Sequence, residues 1–206
     1  MADQPTVDEM DVSRETLERL ETYAELLKQW NPAINLVSKS TLTSLWTRHI
    51  IDSLQIFQLL PTPAGHWVDL GSGGGFPGVV VAICALDSAP DLKVTLVESD
   101  QRKCTFLRTV LRETGANAAV HAKRIEALPS LNADILSARA LADLPALLTH
   151  TDRHMCKTGI ALFPKGATWK KELDSAQSTW RFNVITHKSK TDENSVVLQI
   201  SELSHV

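Results

Sequence analysis

Hydrophobic positions recur every three or four residues in the first part of the chain, the spacing of one face of an α-helix. A first helix is predicted to begin at Ser13, a suitable N-cap, and to end at Asn31-Pro32. A second helix is predicted over residues 41–60 and stops before two prolines. Since both helices bury one face, we expect an N-terminal helical lobe over residues 1–62 that includes a polar leader of about ten residues.

From residue 63 onward, short apolar runs alternate with helical periodicity. Strands are predicted at 67–70, 93–98, 118–121, 133–137 and 160–163, with helices at 77–86, 101–114 and 143–156. Such alternation is typical of a parallel sheet with helices on both faces. Two last strands, at 182–187 and 196–201, are joined by a segment too short for a crossover helix, so they are expected to pair antiparallel at one edge. The predicted fold is therefore α/β, with a mostly parallel Rossmann-like sheet over residues 63–206.

The first predicted strand runs directly into a glycine-rich segment, Gly71-Ser-Gly-Gly-Gly-Phe-Pro-Gly78. Glycines let a ligand approach the backbone, and the free N–H groups at the start of the following helix can face that ligand. Gly73-x-Gly75-x-x-Gly78 fits the dinucleotide pattern, and Glu98 lies 20 residues beyond its last glycine, at the end of the second strand. These features alone are consistent with a nicotinamide-dependent oxidoreductase.

Asp69 favours a different ligand, because it lies on the first strand just before the glycines. A second negative charge there does not help to bind a pyrophosphate, but it attracts an ammonium group. S-adenosylmethionine carries an ammonium group and no phosphate. Glu98 suits either ligand, since its carboxylate can accept hydrogen bonds from both ribose hydroxyls. The segment thus favours a methyltransferase, while an oxidoreductase and a nucleotide-binding regulatory module stay open as alternatives.

The second predicted helix carries polar residues that its packing pattern does not require: Arg48, His49, Asp52 and Ser53. Arg48 and Asp52 have the i, i+4 spacing of an ordinary ion pair on a helix surface, and spacing alone favours that interpretation. A metal site is not indicated, because His49 and Asp52 supply two ligands and no neighbour in the sequence completes a set.

Composition and charge narrow the class of protein. With 206 residues, 43% of them hydrophobic, the chain can bury one sizeable core. Three widely spaced cysteines indicate neither a disulfide framework nor a zinc site. A polar, acidic start and the lack of 18 consecutive apolar residues predict neither a signal peptide nor a membrane span, so we expect a cytoplasmic protein. We also expect a monomer. The net charge of −3 is not that of a general nucleic-acid binder, so any RNA must bind through a local patch.

Five short segments of the chain carry a more specific pattern: Asn35-Leu-Val-Ser, Arg48-His-x-x-Asp-Ser-Leu54, Asp69-Leu-Gly-Ser-Gly-Gly-Gly-Phe-Pro-Gly78, Ser137-Ala-Arg-Ala and Phe163-Pro-Lys-Gly166. Together they resemble the RsmG (GidB) family, which has the class I S-adenosylmethionine-dependent methyltransferase fold and makes 7-methylguanosine in bacterial 16S ribosomal RNA. The resemblance extends from about residue 17 to the end of the chain. It implies 16S rRNA as the partner, and a functional role for the polar residues of the second helix. The nearly balanced charge of the chain leads us to expect this rRNA within the small ribosomal subunit.

The resemblance also implies a set of site residues. Carried over by position, the cofactor contacts are Gly71, Phe76, Ile125, Glu126 and Arg139, and the residue arguments above add Asp69, Gly73 and Glu98. Candidates for holding the guanine and its phosphates are Arg139, Lys165, Arg48 and His49. No general base is predicted, since guanine N7 carries an unprotonated lone pair at neutral pH and positioning is then the main source of catalysis.

Overall fold

The computed structural model describes residues 10–206, so most of the predicted polar leader, residues 1–9, lies outside the described residues. Within that range one sheet has seven strands, in the order β3-β2-β1-β4-β5-β7-β6. Their bounds are β1 His66–Leu70, β2 Lys93–Glu98, β3 Ala119–Ala122, β4 Ala133–Ala138, β5 Met155–Lys165, β6 Trp180–Lys188 and β7 Val196–His205. The first five strands pair in parallel, and β7 pairs antiparallel with both β5 and β6. The predicted fold class is thereby confirmed.

Helices cover both faces of this sheet. Their bounds are α1 Arg14–Ile34, α2 Asp52–Gln58, α3 Gly78–Ser88, α4 Gln101–Thr114, α5 Leu144–His154 and α6 Trp169–Gln177. Helices α1 to α4 share one hydrophobic cluster with one face, whereas α5 and α6 pack on the other. Trp67 and Val68 show the division, because these neighbours on β1 point to opposite faces and belong to different clusters. None of the helices described in residues 10–206 is both long and apolar enough to cross a bilayer.

Helix α1 begins as predicted but ends later. The Ser13 hydroxyl accepts a hydrogen bond from the Thr16 N–H at 3.0 Å, which caps the first turn. The helix continues past Pro32 to Ile34, and it stops at Asn35, whose φ of 50° is left-handed. Because α1 and α2 belong to the same hydrophobic cluster as the sheet, the division of the chain at residue 62 stays a prediction.

The second predicted helix is made of three different pieces, which corrects the expectation of one regular α-helix. A 3₁₀ segment over Lys39–Ser44 is followed by a π-helical turn over Trp46–Ile51, and only then by α2. Side chains four residues apart share a face only when the helix has about 3.6 residues per turn, and a π turn is wider. Arg48 and Asp52 consequently bind other partners, so the surface ion pair predicted from their spacing is wrong.

The sequence patterns also missed α6. Its half-buried Trp169 and Leu173 and its buried Ala176 follow helical spacing, but polar residues fill the rest of the helix. In addition, β5 starts at Met155, so α5 ends before the predicted residue 156. Helix α6 matters for the site, because it brings Glu172 to the carboxyl end of β5.

Candidate functional site

Two adjoining cavities open at the carboxyl ends of the parallel strands, where ligands of such sheets bind. The first cavity, about 580 Å³, is lined by the glycine loop after β1, the end of β2, and the turns after β3 and β4. The second cavity, about 430 Å³, is lined by the π turn and α2, the end of β5, α6, and the turn between β6 and β7. Four residues line both cavities and form what we call the shared wall: Thr41, His49, Arg139 and Ala140.

The glycine loop is held in place by close backbone packing. Gly71 has a φ of 67°, which favours glycine. A Cβ at Gly78 would overlap the Leu96 side chain and lie 2.7 Å from the Asp69 carboxylate, so only glycine lets α3 start so near β1. From α1, the Tyr23 hydroxyl donates to the Gly74 carbonyl at 2.5 Å. These contacts fix the loop, while Gly71 and Gly73 remain part of the cavity lining.

Glu98 ends β2 inside the first cavity and is 9% exposed. One carboxylate oxygen accepts the Gly73 N–H at 2.9 Å, and the other accepts the Asp100 N–H at 2.8 Å. An ionised carboxylate has about four acceptor positions, so each oxygen keeps capacity for one more hydrogen bond. A ligand with two neighbouring hydroxyl groups, such as a ribose, fits this arrangement.

The turn after β3 supplies an apolar surface to the same cavity. Ile125 begins a 3₁₀ turn, is 8% exposed, and lines the cavity together with Glu126. Helix α5 supports this turn, because the Arg153 guanidinium donates to the Leu128 carbonyl at 2.7 Å. A planar apolar ligand such as an adenine can pack on Ile125.

Asp69 has a different position from the other predicted cofactor residues. It is fully buried and accepts hydrogen bonds from the Ser137 hydroxyl at 2.8 Å and from the Gly78 N–H at 3.3 Å. Burial raises the pKa of this carboxyl to about 6, although the hydrogen bonds act in the opposite direction. Asp69 therefore ties β1 to β4 and to the start of α3, while its predicted attraction for a ligand's ammonium group stays a prediction.

Arg139, which follows β4, is the centre of the shared wall. Its Nη1 donates to the Asp52 carboxylate at 3.3 Å and to the Arg48 carbonyl at 3.1 Å. Its Nη2 donates to His49 Nδ1 at 2.7 Å, and the guanidinium carbon lies 5.0 Å from the centre of the Phe76 ring. With only 17% of its side chain exposed, Arg139 is fixed between the glycine loop and the π turn.

His49 is a neutral member of this wall. Burial, followed by the charges of Arg139 and Arg48, lowers its pKa to about 3. Because Arg139 can only donate, Nδ1 must accept, and Nε2 then carries the hydrogen that is donated to Thr41 Oγ1 at 2.9 Å. The ring also stacks on Phe76, with 5.0 Å between the ring centres. Since both nitrogens have partners, His49 orients Arg139 and is not placed as a proton acceptor.

The second cavity is lined by charges that compensate one another. Among the described residues, three ion pairs line it: Arg139–Asp52 at 3.3 Å, Lys165–Glu172 at 2.8 Å and Arg48–Asp192 at 3.4 Å. Their exposure differs, since the Lys165 and Glu172 side chains are 8% and 21% exposed and those of Arg48 and Asp192 are 51% and 33% exposed. We call these the floor pair and the rim pair, respectively. The predicted catalytic groups Lys165 and Arg48 are thus both neutralised by carboxylates.

The turn between β6 and β7 completes the second cavity. The Thr191 hydroxyl donates to the Asp52 carboxylate at 3.0 Å, and Gln55 donates to the same carboxylate at 2.8 Å. Gln55 also accepts the Lys190 N–H at 2.8 Å, which fastens the turn to α2. The sequence patterns missed Thr191, Gln55 and both carboxylates of the floor and rim pairs. The one signal in the sequence is the strongly polar segment between the last two strands, which predicts only a connection too short for a crossover helix.

Most of the predicted site residues come together in the structure. Seven of the eight predicted cofactor residues line the first cavity: Gly71, Gly73, Phe76, Glu98, Ile125, Glu126 and Arg139. The four predicted catalytic residues all line the second: Arg48, His49, Arg139 and Lys165. Arg139 belongs to both sets, as expected for a residue of the shared wall.

Comparisons with known proteins identify relatives of the chain. A family model described as rRNA small subunit methyltransferase G matches residues 16–197. A relative named Ribosomal RNA small subunit methyltransferase G from Ruegeria sp. (strain TM1040) is 54% identical over 198 residues, which cover 96% of each chain. One of the same name from Rhizobium meliloti (strain 1021) is 52% identical and covers 94% of this chain and 92% of its own.

Solved structures show the same fold at low sequence identity. A methyltransferase from Geobacter sulfurreducens has a TM-score of 0.59 at 14% identity, covering 89% of this chain and 88% of its own. A TehB-like SAM-dependent methyltransferase from Corynebacterium glutamicum has a TM-score of 0.56 at 15% identity, covering 88% of this chain and 96% of its own. At this identity the likeness concerns the fold alone.

Proposed function

The chain belongs to the rRNA small subunit methyltransferase G family, and from that membership we propose that it transfers a methyl group from S-adenosylmethionine to N7 of a guanine in bacterial 16S rRNA. The observation that carries the proposal is the shared wall. It joins a cavity suited to an adenosine to a second cavity that can hold a base, so that a donor and an acceptor can meet beside Arg139.

The residues of the first cavity fit S-adenosylmethionine. The volume of about 580 Å³ lies within the roughly 300–1,000 Å³ typical of small-molecule sites. The open acceptor positions of Glu98 can take both ribose hydroxyls, and Ile125 can pack against the adenine. Gly71 and Gly73 leave room for the methionine part against the backbone. When bound, the cofactor supplies an electrophilic methyl group on a positively charged sulfur.

Methylation at guanine N7 requires no proton acceptor, because the nitrogen already has a free lone pair in the ring plane. His49 agrees with this chemistry, since both of its nitrogens are hydrogen-bonded and its pKa is about 3. What the protein must provide is alignment of the two reactants, which can contribute several kcal/mol. Arg139 is held by Asp52 and His49 at the boundary of the two cavities and is suited to that task.

The alternatives predict different cofactors. An oxidoreductase or a regulatory nucleotide-binding module would bind NAD(H) or another nucleotide, whereas the proposed enzyme binds S-adenosylmethionine and its demethylated product. A ligand that binds only the folded state raises the melting temperature with its concentration. We expect stabilisation by S-adenosylmethionine and S-adenosylhomocysteine and none by NAD(H), and the reverse result would exclude the proposal.

Methyl transfer itself tests the position of the modification. Purified protein is incubated with small subunits from cells that lack it and with S-adenosylmethionine carrying a labelled methyl group, and the nucleosides are analysed by mass spectrometry. We expect the label in 7-methylguanosine. Label in another nucleoside would contradict the N7 assignment while retaining a methyltransferase.

We further propose that an assembled or partly assembled small subunit is methylated better than protein-free 16S RNA, by a monomer acting in the cytoplasm. With 21 basic and 24 acidic residues, the chain attracts RNA weakly over long distances. Its usable basic residues are few and local, because Lys165 and Arg48 are neutralised and Lys103, Lys123 and Arg124 remain at the first cavity. A small basic patch distinguishes its target from other RNA best when the RNA is already ordered, because ordering a flexible strand consumes binding energy. Equal or faster methylation of the protein-free transcript, at matched concentration and moderate salt, would contradict this part alone.

A further inference from the structure

The floor pair of the second cavity has hydrogen-bonding capacity that the protein does not use. Lys165 Nζ donates to the Ala142 carbonyl at 2.9 Å and to Glu172 Oε2 at 2.8 Å. An ammonium group has three hydrogens, so one donor remains. Both side chains line the cavity, and Lys165 is 8% exposed, so a ligand in the cavity is the partner within reach of that donor.

A parallel count for Glu172 leaves one acceptor. Its Oε2 accepts from Lys165 and from the Leu144 N–H at 3.0 Å, and its Oε1 accepts from the Thr168 hydroxyl at 3.0 Å. Out of about four acceptor positions on a carboxylate, one is left. Despite burial, which acts in the opposite direction, the hydrogen bond and charge of Lys165 keep the pKa of Glu172 below its ordinary value, so the carboxylate stays ionised.

One donor beside one acceptor matches a particular base edge. Guanine has the O6 acceptor next to the N1–H donor, whereas adenine and cytosine have a donor amino group next to an acceptor nitrogen. Uracil shares the guanine order but has no N7. Enzymes that act on single bases commonly recognise this edge by hydrogen bonds in a pocket. Adenine can pair with the same two groups only when it is turned over, with N1 at Lys165 and the amino group at Glu172, and its N7 then lies on the Glu172 side. Guanine places N7 on the Lys165 side.

We propose that the floor pair is the specificity determinant for guanine, with Lys165 donating to O6 and the Glu172 carboxylate accepting from N1–H. This inference rests on the proposed function and adds Glu172 as a residue that contacts the base. The position of the pair agrees with it, because O6 lies between N1 and N7 on the guanine ring. The Arg139–Ala142 segment likewise leads from the shared wall to the carbonyl that Lys165 binds. A base with N1 at Glu172 and O6 at Lys165 can therefore direct N7 towards the shared wall.

The rim pair serves as the contrast. Arg48 and Asp192 line the same cavity and are more exposed, so on the proposed function they face the RNA backbone or neighbouring nucleotides and not the target base. A change there weakens binding of any RNA, but it does not change the preference for one base over another.

The experiment replaces the methylated guanosine, in an otherwise identical 16S RNA assembled into subunits, by inosine or by 2-aminopurine riboside. Both analogues keep N7, but inosine retains O6 and N1–H whereas 2-aminopurine lacks both. For the wild-type protein we expect kcat/KM on inosine within about threefold of guanosine. On 2-aminopurine we expect it to be lower by roughly 10- to 100-fold, the discrimination of a good two-bond contact. Equal methylation of 2-aminopurine and guanosine by the wild type would overturn the proposal without any variant.

Variants then assign the discrimination to Glu172. Glu172→Gln is expected to lower kcat/KM on the guanosine substrate about tenfold or more. Its kcat/KM on the 2-aminopurine substrate should stay unchanged, so that the preference for guanosine over 2-aminopurine falls. The matched control, Asp192→Asn, is expected to lower kcat/KM on the guanosine and 2-aminopurine substrates by the same factor. Melting temperature and S-adenosylmethionine affinity establish that each variant is folded.

The outcomes separate the two proposals. If Glu172→Gln lowers kcat/KM on the guanosine and 2-aminopurine substrates by the same factor, Glu172 has only a structural role. The inference is then overturned, while the methyltransferase assignment stands. If the wild type transfers no methyl group to N7 of the guanosine substrate, the proposed function fails first and the inference fails with it.

Discussion

The first and second cavities differ in what they offer a ligand. The first presents backbone groups of the glycine loop, an apolar turn and one carboxylate with open acceptor positions. The second presents side chains whose charges are paired across elements far apart in the chain, as in Asp52 with Arg139. On the proposed function, we expect cofactor affinity and methyl transfer to be separable, since a change in the first cavity should affect cofactor affinity and a change in the second should affect methyl transfer. Only the shared wall is expected to affect both.

The largest effect is expected at Arg139, where the two cavities meet. Arg139→Ala removes charge-assisted hydrogen bonds to Asp52 and His49 and leaves Asp52 without its cation. At roughly 2 kcal/mol for each such bond, kcat/KM should fall by about 100- to 1,000-fold. Steady-state kinetics with both substrates varied measures this. Arg139→Lys, which keeps the charge but not the forked geometry, should recover only part of the loss, and a variant with normal kinetics would remove Arg139 from the site.

Glu98→Ala isolates the first cavity. Without the carboxylate the ribose hydroxyls lose their acceptors, so S-adenosylmethionine should bind more weakly by roughly 2–3 kcal/mol, or about 30- to 150-fold. Titration calorimetry measures the affinity, with Glu113→Ala on the exposed surface of α4 as the control. Unchanged affinity in a folded Glu98→Ala protein would exclude this residue from the cofactor site.

Asp52→Ala and Arg48→Ala isolate the second cavity and should differ from each other. Asp52 holds Arg139 and the turn between β6 and β7, so its loss should lower kcat about tenfold with little change in cofactor affinity. Arg48 belongs to the exposed rim pair, where such contacts contribute less than about 1 kcal/mol, and a few-fold effect is expected. Full turnover on RNA in both variants would show that neither Asp52 nor Arg48 contributes to methyl transfer.

The last effect concerns stability and not turnover: it is a pH dependence caused by His49. Its ordinary pKa of 6.5 is lowered to about 3 in the folded protein, so between these values the unfolded chain binds the proton and the folded one does not. The free energy of unfolding should therefore rise with pH across that window because of His49. The pKa of Asp69 is raised from 3.8 to about 6, so between these two values Asp69 makes the free energy of unfolding fall as the pH rises.

Comparing the wild type with His49→Gln separates the two groups. Denaturant unfolding of both proteins between pH 4 and pH 7 should show that the stability advantage of the wild type grows with pH and levels off above about 6.5. A difference between the two proteins that is constant with pH would show that His49 titrates normally in the folded state.

The same contrast explains how far the sequence could predict the site. Glu98 is the last residue of one strand and Gly71 directly follows another, and because parallel strands end at one edge, local patterns were sufficient to bring them together. Arg139, which follows β4, was predicted from the family resemblance and not from a local pattern.

Glu172 and Asp192 could not be found by these means. Their roles depend on α6 and on the turn between β6 and β7 lying beside the π turn, and these tertiary contacts leave no periodic signal. The π turn itself misled the prediction for Arg48 and Asp52, because helical spacing presupposes 3.6 residues per turn.

The most direct measurement of the central claim, that a cofactor and a guanine meet at the shared wall, is made on cellular RNA. Nucleosides of 16S rRNA are compared by mass spectrometry between cells that have this protein, cells that lack it, and cells that carry only Arg139→Ala. We expect one 7-methylguanosine in the first cells and none at that position in the other two. A 7-methylguanosine content that is unchanged when the protein is absent, or that Arg139→Ala restores in full, would contradict a meeting of cofactor and guanine beside Arg139.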